Sequence, residues 1–272
     1  MDKSKITAAI WPWGTTTREE MEIAAKEVSE IGYKSFESVK PAIYAYDLDI
    51  DAYREVLKRY DLKPVSFYYH LGNVGEETKI FGNLEKELEF IAALDVKRVC
   101  LQGHIGRPAE MNEEELEKEL TLIRRFAEKT KEFGIRANLH PHNNSYVMYQ
   151  REIEYFLDNT EESLLSFAPD TAHLITGECD PVTIIKKYAK RVNFTHLKDI
   201  PGGGASSYGF APSGVELFGF TELGTGCVDF RGVFDILKGV NYDGPLCVEL
   251  DKAPISNAIS AEKNYRFVLE NY

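Results

Sequence analysis

The sequence lacks paired cysteines, long apolar runs and clusters of basic residues. Its four cysteines are widely spaced without a CxxC pair, which favours reduced thiols over a disulfide framework. They are Cys100, Cys179, Cys227 and Cys247. No stretch approaches the length of a membrane span, and the apolar stretch from Ile6 to Trp13 is too short for the core of a signal peptide. We therefore expect a cytoplasmic protein with no membrane partner.

A surplus of positive charge is also missing. The chain has 32 Lys and Arg against 44 Asp and Glu, which gives a formal net charge of −12. The average surface field therefore repels phosphodiester backbones, and we expect no nucleic-acid partner.

No glycine-rich phosphate loop follows the first apolar run, where Trp11-Pro12-Trp13-Gly14 stands instead of GxGxxG. This absence disfavours an open, doubly wound sheet. What the chain does have is an alternation of short β-branched or aromatic runs with amphipathic segments of helical length. The predicted strands are Ile6–Ile10, Ser35–Val39, Val65–Tyr69, Arg98–Gln102, Arg136–Leu139, Leu164–Ala168, Val192–Leu197 and Pro245–Leu250. Eight such units predict an α/β fold, a (β/α)8 TIM barrel, as a single domain over residues 1–272.

Local signals mark the ends of several helices. Thr17 and Glu20 have the spacing of a capping box, and Asn112 precedes three acids that suit a helix start. Gly134 follows a long amphipathic segment and predicts a left-handed helix end. Residues 201–225 are rich in glycine, serine and aromatics without a period, which predicts a long loop over the active site.

All six histidines lie at or just beyond the carboxyl ends of predicted strands. They are His70, His104, His140, His142, His173 and His196. In a barrel this is the rim where catalytic groups from different strands converge, and imidazole is a common ligand of transition metals.

Three acids share this rim. Asp170 ends the sixth strand, and Glu249 lies inside an apolar strand, where a carboxylate is costly unless it is paired or bound to a cation. Glu37 in the second strand either contacts metal or substrate, or is solvated if the strand boundary differs.

Four motifs give the chain a resemblance to a known family. They are Leu139-His140-Pro141-His142-Asn143, Pro169-Asp170-Thr171-Ala172-His173-Leu174, Thr195-His196-Leu197-Lys198-Asp199 and Val248-Glu249-Leu250-Asp251. In order and spacing the chain resembles, over essentially its whole length, the xylose isomerase-like barrels of the sugar isomerase/epimerase type.

The resemblance implies a divalent metal ion and assigns roles to individual residues. The implied metal ligands are His140, Asp170, His196 and Glu249. Beyond the resemblance, we expect Glu249 or His142 to act as the catalytic base, and His173 or Lys198 to steady or protonate the leaving group. Substrate contacts are expected from Glu37, His70, His104, His142, His173, Lys198 and Trp13. We expect Mn²⁺ or Co²⁺, with Zn²⁺, Fe²⁺ or Mg²⁺ as alternatives.

His140 departs from many isomerases and epimerases of this type, which have Glu at that position. With Asp170 and Glu249 as the only anionic ligands, the ion should be a stronger Lewis acid. The loss of a second carboxylate favours enolisation of a keto-sugar or keto-cyclitol followed by β-elimination. In motif the chain is most similar to the inosose dehydratases, although Asn143-Asn144-Ser145 departs from that subgroup's Gly-Thr pair.

Other functions remain open at this point. Isomerisation or epimerisation on the same metal site would take its second acid/base from Glu37 or Glu222. Cleavage of a 3-keto-glycoside would be the same elimination with an aglycone as leaving group, and some barrels of this type use a small partner subunit for it. A homo-oligomer is the other assembly we consider.

Two alternatives lie further away. A three-metal DNA-repair endonuclease is opposed by the negative charge and by the absence of any histidine after His196. A non-catalytic sugar-binding barrel would bind its ligand without metal. For any of these, aromatic side chains are candidates to stack on a sugar ring or to pack in the core. They are Trp11, Trp13, Tyr68, Tyr69 and Phe210.

Overall fold

The computed structural model describes residues 2–202 and 219–272. Its strands are β1 (Ile6–Ala9), β2 (Ser35–Val39), β3 (Lys63–His70), β4 (Arg98–Gln102), β5 (Arg136–Leu139), β6 (Leu165–Phe167), β7 (Thr195–Leu197) and β8 (Leu246–Val248). They form one parallel sheet in the order β6-β5-β4-β3-β2-β1-β8-β7. Every predicted strand overlaps an observed one.

The sheet closes between β6 and β7 through isolated bridges rather than a continuous ladder. Phe167 bridges Val192 and Asp170 bridges His196, and the backbone N–H of His196 donates to the carbonyl of Pro169 at 2.9 Å. The predicted TIM barrel is thereby confirmed.

Helices follow the strands on the outside of the barrel. They are α1 (Arg18–Ile31), α2 (Lys40–Ala45), α3 (Ile50–Tyr60), α4 (Glu77–Phe81), α5 (Leu84–Ala93), α6 (Glu113–Glu132), α7 (Gln150–Asp158), α8 (Thr171–Thr176), α9 (Pro181–Lys187), α10 (Phe230–Gly239) and α11 (Asn257–Asn271). Among the described residues, none of these is long and apolar enough to cross a membrane.

The predicted helix ends are found. Thr17 and Glu20 form a capping box at the start of α1, and Asn112 forms one with Glu115 at the start of α6. Gly134, with φ of 69°, takes the left-handed conformation after α6 that a side chain would make costly.

Two apolar clusters support the barrel. The larger one fills the space between strands and helices, and a smaller one lies in the barrel interior beneath the carboxyl rim. The interior cluster contains Ala9, Cys100, Ala168, Phe194 and Cys247. Four of these five side chains are small and fit a narrow barrel axis, and together with Phe194 they exclude water from below the rim.

The predicted loop at 201–225 is described only at its two ends, and residues 203–218 lie outside the described residues. At the second end, the N–H of Thr221 donates to the carbonyl of Asp199 at 3.0 Å. The extent of a single domain over 1–272 stays a prediction.

Candidate functional site

Donor atoms from four neighbouring strands converge at the carboxyl rim. His140 follows β5, Asp170 follows β6, His196 lies in β7 and Glu249 follows β8, and all four are buried. Nδ1 of His140 lies 2.8 Å from Nδ1 of His196, which lies 3.5 Å from Oε2 of Glu249. Ligand atoms of His140, Asp170 and His196 all lie within 4.8 Å of one another. The fold therefore brings the four predicted metal ligands together.

The strand ladder and a helix cap set these positions. The N–H of His140 donates to Leu101 on β4, and that of Glu249 donates to Leu197 on β7. Oδ1 of Asp170 caps α8 by accepting the N–H of Ala172 at 2.9 Å and of His173 at 2.8 Å. The cap fixes the carboxylate and leaves its second oxygen facing the cluster.

Three buried atoms of this cluster have no hydrogen-bond partner among the described residues. They are Nε2 of His140, Oδ2 of Asp170 and Oε2 of Glu249. Buried polar atoms are normally paired, because an unpaired one keeps its full desolvation cost. One unpaired imidazole nitrogen and two unpaired carboxylate oxygens within one buried cluster suit a divalent cation of the transition series.

A carboxylate behind His196 fixes the orientation of its ring. Nε2 of His196 contacts Oε2 of Glu37, whose other oxygen accepts the hydroxyl of Ser66 at 2.7 Å. A carboxylate on the far nitrogen of a histidine is the usual outer support of a metal ligand, and it leaves Nδ1 to face the cluster. Glu37 is thus buried and bonded to a predicted ligand rather than solvated.

Electrostatic coupling across the cluster is strong. Burial alone would lower the pKa of His196, but the carboxylates of Glu37 and Glu249 raise it to about 9. Burial raises the pKa of Glu249 to about 8, against the opposing effect of Lys198. Burial also raises the pKa of Asp170. Without a metal ion the cluster therefore holds protons that a cation would replace.

Lys198 places an ammonium beside the cluster. Its Nζ lies 2.6 Å from Oε1 of Glu249, 2.6 Å from Oδ2 of Asp251 and 3.2 Å from Nε2 of His173. Burial would lower its pKa, but Asp251 and Glu249 raise it above the ordinary value. Lys198 is therefore a fixed positive charge at the site. It lies two residues after His196, and side chains two residues apart on a strand point to the same face.

A cavity of about 340 Å³ opens beside Glu249 and is large enough for a small ligand. Its polar wall includes Gln102, His142, Glu249 and Asp251. The rest of its lining is mainly apolar and aromatic, with Lys40 and His70 as the polar exceptions, and includes Trp11, Val39, Pro41, Tyr68, Tyr69 and Ile80. The cavity thus has a chemically polar side near the cluster and an apolar side over β1 to β3.

His142 and His173 stack at the polar side, with ring centroids 3.9 Å apart. Nδ1 of His142 lies 2.7 Å from the carbonyl of Asn143, and Nδ1 of His173 accepts the N–H of Asn143 at 3.2 Å. Burial, followed by the charge of Lys198, lowers the pKa of His142 to about 4. Because a carbonyl only accepts, Nδ1 of His142 carries the proton and Nε2 has a free lone pair.

The two remaining histidines do not join the metal cluster. His70 is exposed at the cavity edge, and its Nδ1 accepts the N–H of Gly72 at 3.0 Å. His104 is buried against Glu119 of α6, with Nδ1 at 2.5 Å from Oε2. The histidine pattern therefore marks the rim, while only part of it lies at one site.

Three other residues weighed from the sequence have different surroundings. Trp13 donates its indole N–H to Glu27 at 2.7 Å, while its neighbour Trp11 lines the cavity. Glu222 is bonded to Ser260 and Lys263 of α11. Phe210 lies outside the described residues.

Asp251 is the site residue that the sequence interpretation did not select. Its carboxylate binds Lys198 and lines the cavity, and Oδ1 accepts the indole N–H of Trp11 at 3.4 Å. The spacing could have identified it, since Asp251 lies two residues after Glu249, as Lys198 does after His196.

Comparison with known proteins agrees with this architecture. The inosose dehydratase of Clostridium perfringens (strain 13 / Type A) is 28% identical over 270 residues, covering 90% of this chain and 86% of the relative. The probable 3-DHS dehydratase AsbF of Bacillus anthracis superposes with a TM-score of 0.80 at 14% identity, covering 97% of this chain and 98% of that one. The IOLI protein with a bound zinc atom has a TM-score of 0.80 at 14% identity, with 98% and 97% covered.

The resemblance seen in the motifs is confirmed by a family model, described as a xylose isomerase-like TIM barrel, that matches residues 25–270. The prediction of an enzyme is also confirmed, because the curated relatives carry the name of an enzyme, inosose dehydratase. The chain therefore belongs to the xylose isomerase-like TIM barrel family.

Proposed function

We propose that this protein is a divalent-metal-dependent lyase that enolises a keto-sugar or keto-cyclitol and then eliminates water. The observation that carries the proposal is the cluster of His140, Asp170 and His196, whose ligand atoms lie within 4.8 Å of one another. Oε2 of Glu249 lies 3.5 Å from Nδ1 of His196 and is one of three buried donor atoms without a hydrogen-bond partner among the described residues. The name of the Clostridium perfringens relative, inosose dehydratase, supports the same reaction class.

The four converging residues would hold the metal ion. A bound divalent ion supplies Lewis acidity, which makes the proton next to a carbonyl easier to remove. The mixed nitrogen and oxygen donors suit Mn²⁺ or Co²⁺, with Zn²⁺, Fe²⁺ or Mg²⁺ as alternatives.

His142 is the first candidate for the base that takes this proton. It lines the cavity, its lowered pKa keeps it neutral near pH 7, and its Nε2 has a free lone pair. Glu249 is the second candidate, since its carboxylate lines the same cavity. A positioned base contributes about 10²–10⁴-fold to such a step.

Lys198 and His173 are the candidates to assist departure of the leaving oxygen. The Lys198 ammonium lies between Glu249 and Asp251 and is held by both carboxylates. Because its pKa is raised, it mainly stabilises negative charge developing on the leaving hydroxyl. His173, 3.2 Å from the ammonium, is kept neutral because burial lowers its pKa well below the ordinary value, so its part is to help position Lys198. The proton that completes the water comes from the Lys198 ammonium, because the departing hydroxide is the stronger base.

The surroundings of the other acids favour elimination over epimerisation. Epimerisation returns the proton from the opposite face and needs a second acid/base group there. Glu37 is engaged by His196 and Ser66, and Glu222 by Ser260 and Lys263. Because both carboxylates are engaged by other side chains, neither Glu37 nor Glu222 can serve as the second acid/base group that a two-carboxylate mechanism requires.

The apolar wall of the cavity favours a second candidate substrate, a keto-glycoside that loses its aglycone instead of water. Sugar hydroxyls need hydrogen-bond partners when buried, which Val39, Pro41 and Ile80 do not supply. An apolar aglycone would fit against these side chains. The proton transfers at the polar wall would be the same.

Mass spectrometry on a panel of keto-cyclitols, keto-sugars and keto-glycosides tests the proposal. We expect loss of one water, dependence on added Mn²⁺ or Co²⁺, and exchange of the proton next to the carbonyl with deuterated solvent. A product with the substrate's mass would assign an isomerase or epimerase instead. Proton exchange that persists at full rate with chelator would refute the metal-dependent mechanism.

The Ile80→Asn variant separates the two leaving groups. If the substrate carries an apolar aglycone, kcat/KM for the glycoside should fall by roughly 10–200-fold, the range for a change in a hydrophobic pocket. Turnover of a keto-cyclitol should change little. Ile23→Asn, which changes an exposed isoleucine on α1, is the matched control.

A further inference from the structure

A second cavity, of about 420 Å³, lies at the opposite end of the barrel from the candidate metal centre. Arg98 and Arg136 line it and are the first residues of β4 and β5, so the cavity lies at the amino-terminal rim. Lys97 precedes β4 and Lys131 lies in the last turn of α6. We call this space the basal cavity.

Positive charge in the basal cavity is not balanced by its lining residues. The residues that line it include four cations and no carboxylate, although the whole chain has a net charge of −12. Lys97 pairs with Asp95 at 2.7 Å. Within 2–202 and 219–272, Arg98, Lys131 and Arg136 have no ion-pair partner at all. Three cations without an ion pair within 4 Å therefore face one small space, and the Asp243 carboxylate, which pairs with Lys5, acts on Arg98 only at longer range.

The two guanidinium groups are held in place but keep free donors. Nε of Arg98 donates to the carbonyl of Asn193 at 3.1 Å, which leaves both terminal nitrogens without a partner among the described residues. Nη1 of Arg136 donates to the carbonyl of Glu162 at 2.5 Å, which leaves its other two nitrogens. A planar guanidinium fixed at one nitrogen is suited to bind a phosphate oxygen with the others.

We propose that the basal cavity binds a small metabolite that carries a phosphate group, at a site separate from the candidate metal centre. Arg98 and Arg136 donate hydrogen bonds to the phosphate oxygens, and Lys131 adds charge. The volume lies within the range of small-molecule sites, so a phosphate and a short carbon skeleton fit together. A nucleic acid is disfavoured, because its further phosphates would meet an acidic surface.

Isothermal titration of the full chain with inorganic phosphate, at constant ionic strength set by sodium chloride, tests the proposal. We expect saturable binding of one phosphate per chain. Lys131→Gln combined with Arg136→Gln should weaken it about tenfold or more, since hydrogen bonds to charged groups are lost. Lys118→Gln, an exposed change on the same helix, should leave binding unchanged.

Two further variants distinguish this site from the metal centre and from misfolding. Asp170→Asn alters the metal centre and should keep phosphate binding. Lys131→Gln alone removes an ammonium that has no bond within the described residues, so the fold should be unaffected while binding weakens. Binding that is lost in Asp170→Asn, fails to saturate, or falls equally in Lys118→Gln would overturn the proposal.

Discussion

At the scale of single residues, Asp170 has a separate role for each carboxylate oxygen. Oδ1 caps α8, while the buried Oδ2 has no partner among the described residues and faces the cluster. Asparagine can serve the cap about as well as aspartate but removes the anionic donor. A single substitution therefore separates the structural role from the proposed metal-binding role.

We predict that Asp170→Asn folds with near-normal stability but loses metal. The removal of one ligand should lower metal affinity by more than the roughly 10–100-fold of an outer-shell change. Elemental analysis and metal titration measure this. Asp180→Asn, at the N-cap of α9, is the matched control and should bind metal normally. Equal metal affinity in both variants would contradict the assignment of Asp170.

Glu37→Gln tests the support behind His196. Glutamine keeps the shape but loses the negative charge that orients and polarises the imidazole, so metal affinity should fall about 10–100-fold. Competition titration with a metal indicator measures the change. Glu119→Gln provides the comparison, because Glu119 is also a buried carboxylate bonded to a histidine, His104, outside the cluster. If both variants bound metal equally, Glu37 would have only a structural role.

The sequence could predict the four converging donors but not the partners that complete them. His140, Asp170, His196 and Glu249 stand at strand ends, which the barrel topology places on one rim. The pairing of His104 with Glu119 depends on how α6 packs on β4, and no local pattern encodes it. The contact of Glu37 with His196 likewise joins residues far apart in the chain, and burial decides it.

At the scale of elements, Asp199 anchors the segment that leads into α10. Its Oδ1 accepts the N–H of Ile200 and Val228, and its Oδ2 accepts the N–H of Gly224 and Gly226, at 2.8 to 3.1 Å. One buried carboxylate thus accepts four backbone N–H groups of this segment, in addition to the backbone bonds of Thr221 and Cys227.

We predict that Asp199→Asn lowers the free energy of unfolding by about 2 kcal/mol or more, because an amide NH₂ would face two N–H donors. Urea unfolding followed by circular dichroism gives this value. Asp229→Asn, at the N-cap of α10, should change stability by a few tenths of a kcal/mol, since both residues cap well. An equally small effect at Asp199 would show that the anchor is not needed.

The strands could be predicted from the sequence because their apolar pattern is local, but their first and last residues were predicted less accurately. The strands over Ser35–Val39, Arg98–Gln102 and Arg136–Leu139 match the prediction in both bounds. The last three strands are shorter than predicted, because their ends leave the ladder. Val192, for example, makes only an isolated bridge to Phe167. Such departures follow from strand tilt and closure, which a single run of residues does not reveal.

At the scale of the whole molecule, the candidate ion would connect four strands that the chain reaches one after another. We predict that saturating Mn²⁺ or Co²⁺ raises stability by about 2.7 kcal/mol at one hundred times its dissociation constant. Calorimetry should show one unfolding transition, as expected for the single domain, that moves to higher temperature with metal and back with chelator. A melting temperature indifferent to metal, or the same rise in Asp170→Asn, would argue against the site. Homo-oligomerisation and a small partner subunit stay predictions.

The seam between β6 and β7 couples the stability of the barrel to the candidate metal centre. Elsewhere around the barrel neighbouring strands pair in ladders of three or more residues, with one register shift between β2 and β3. Here two isolated bridges join Phe167 to Val192 and Asp170 to His196. The strand pairing with the fewest backbone bridges is thus the one between β6 and β7, and each of these strands contributes a candidate ligand, Asp170 or His196. A cation shared by Asp170 and His196 would act as a cross-link over that seam. The barrel wall and the reaction centre would then loosen or tighten together, and amide hydrogen exchange along this seam would report how firmly the ion is held.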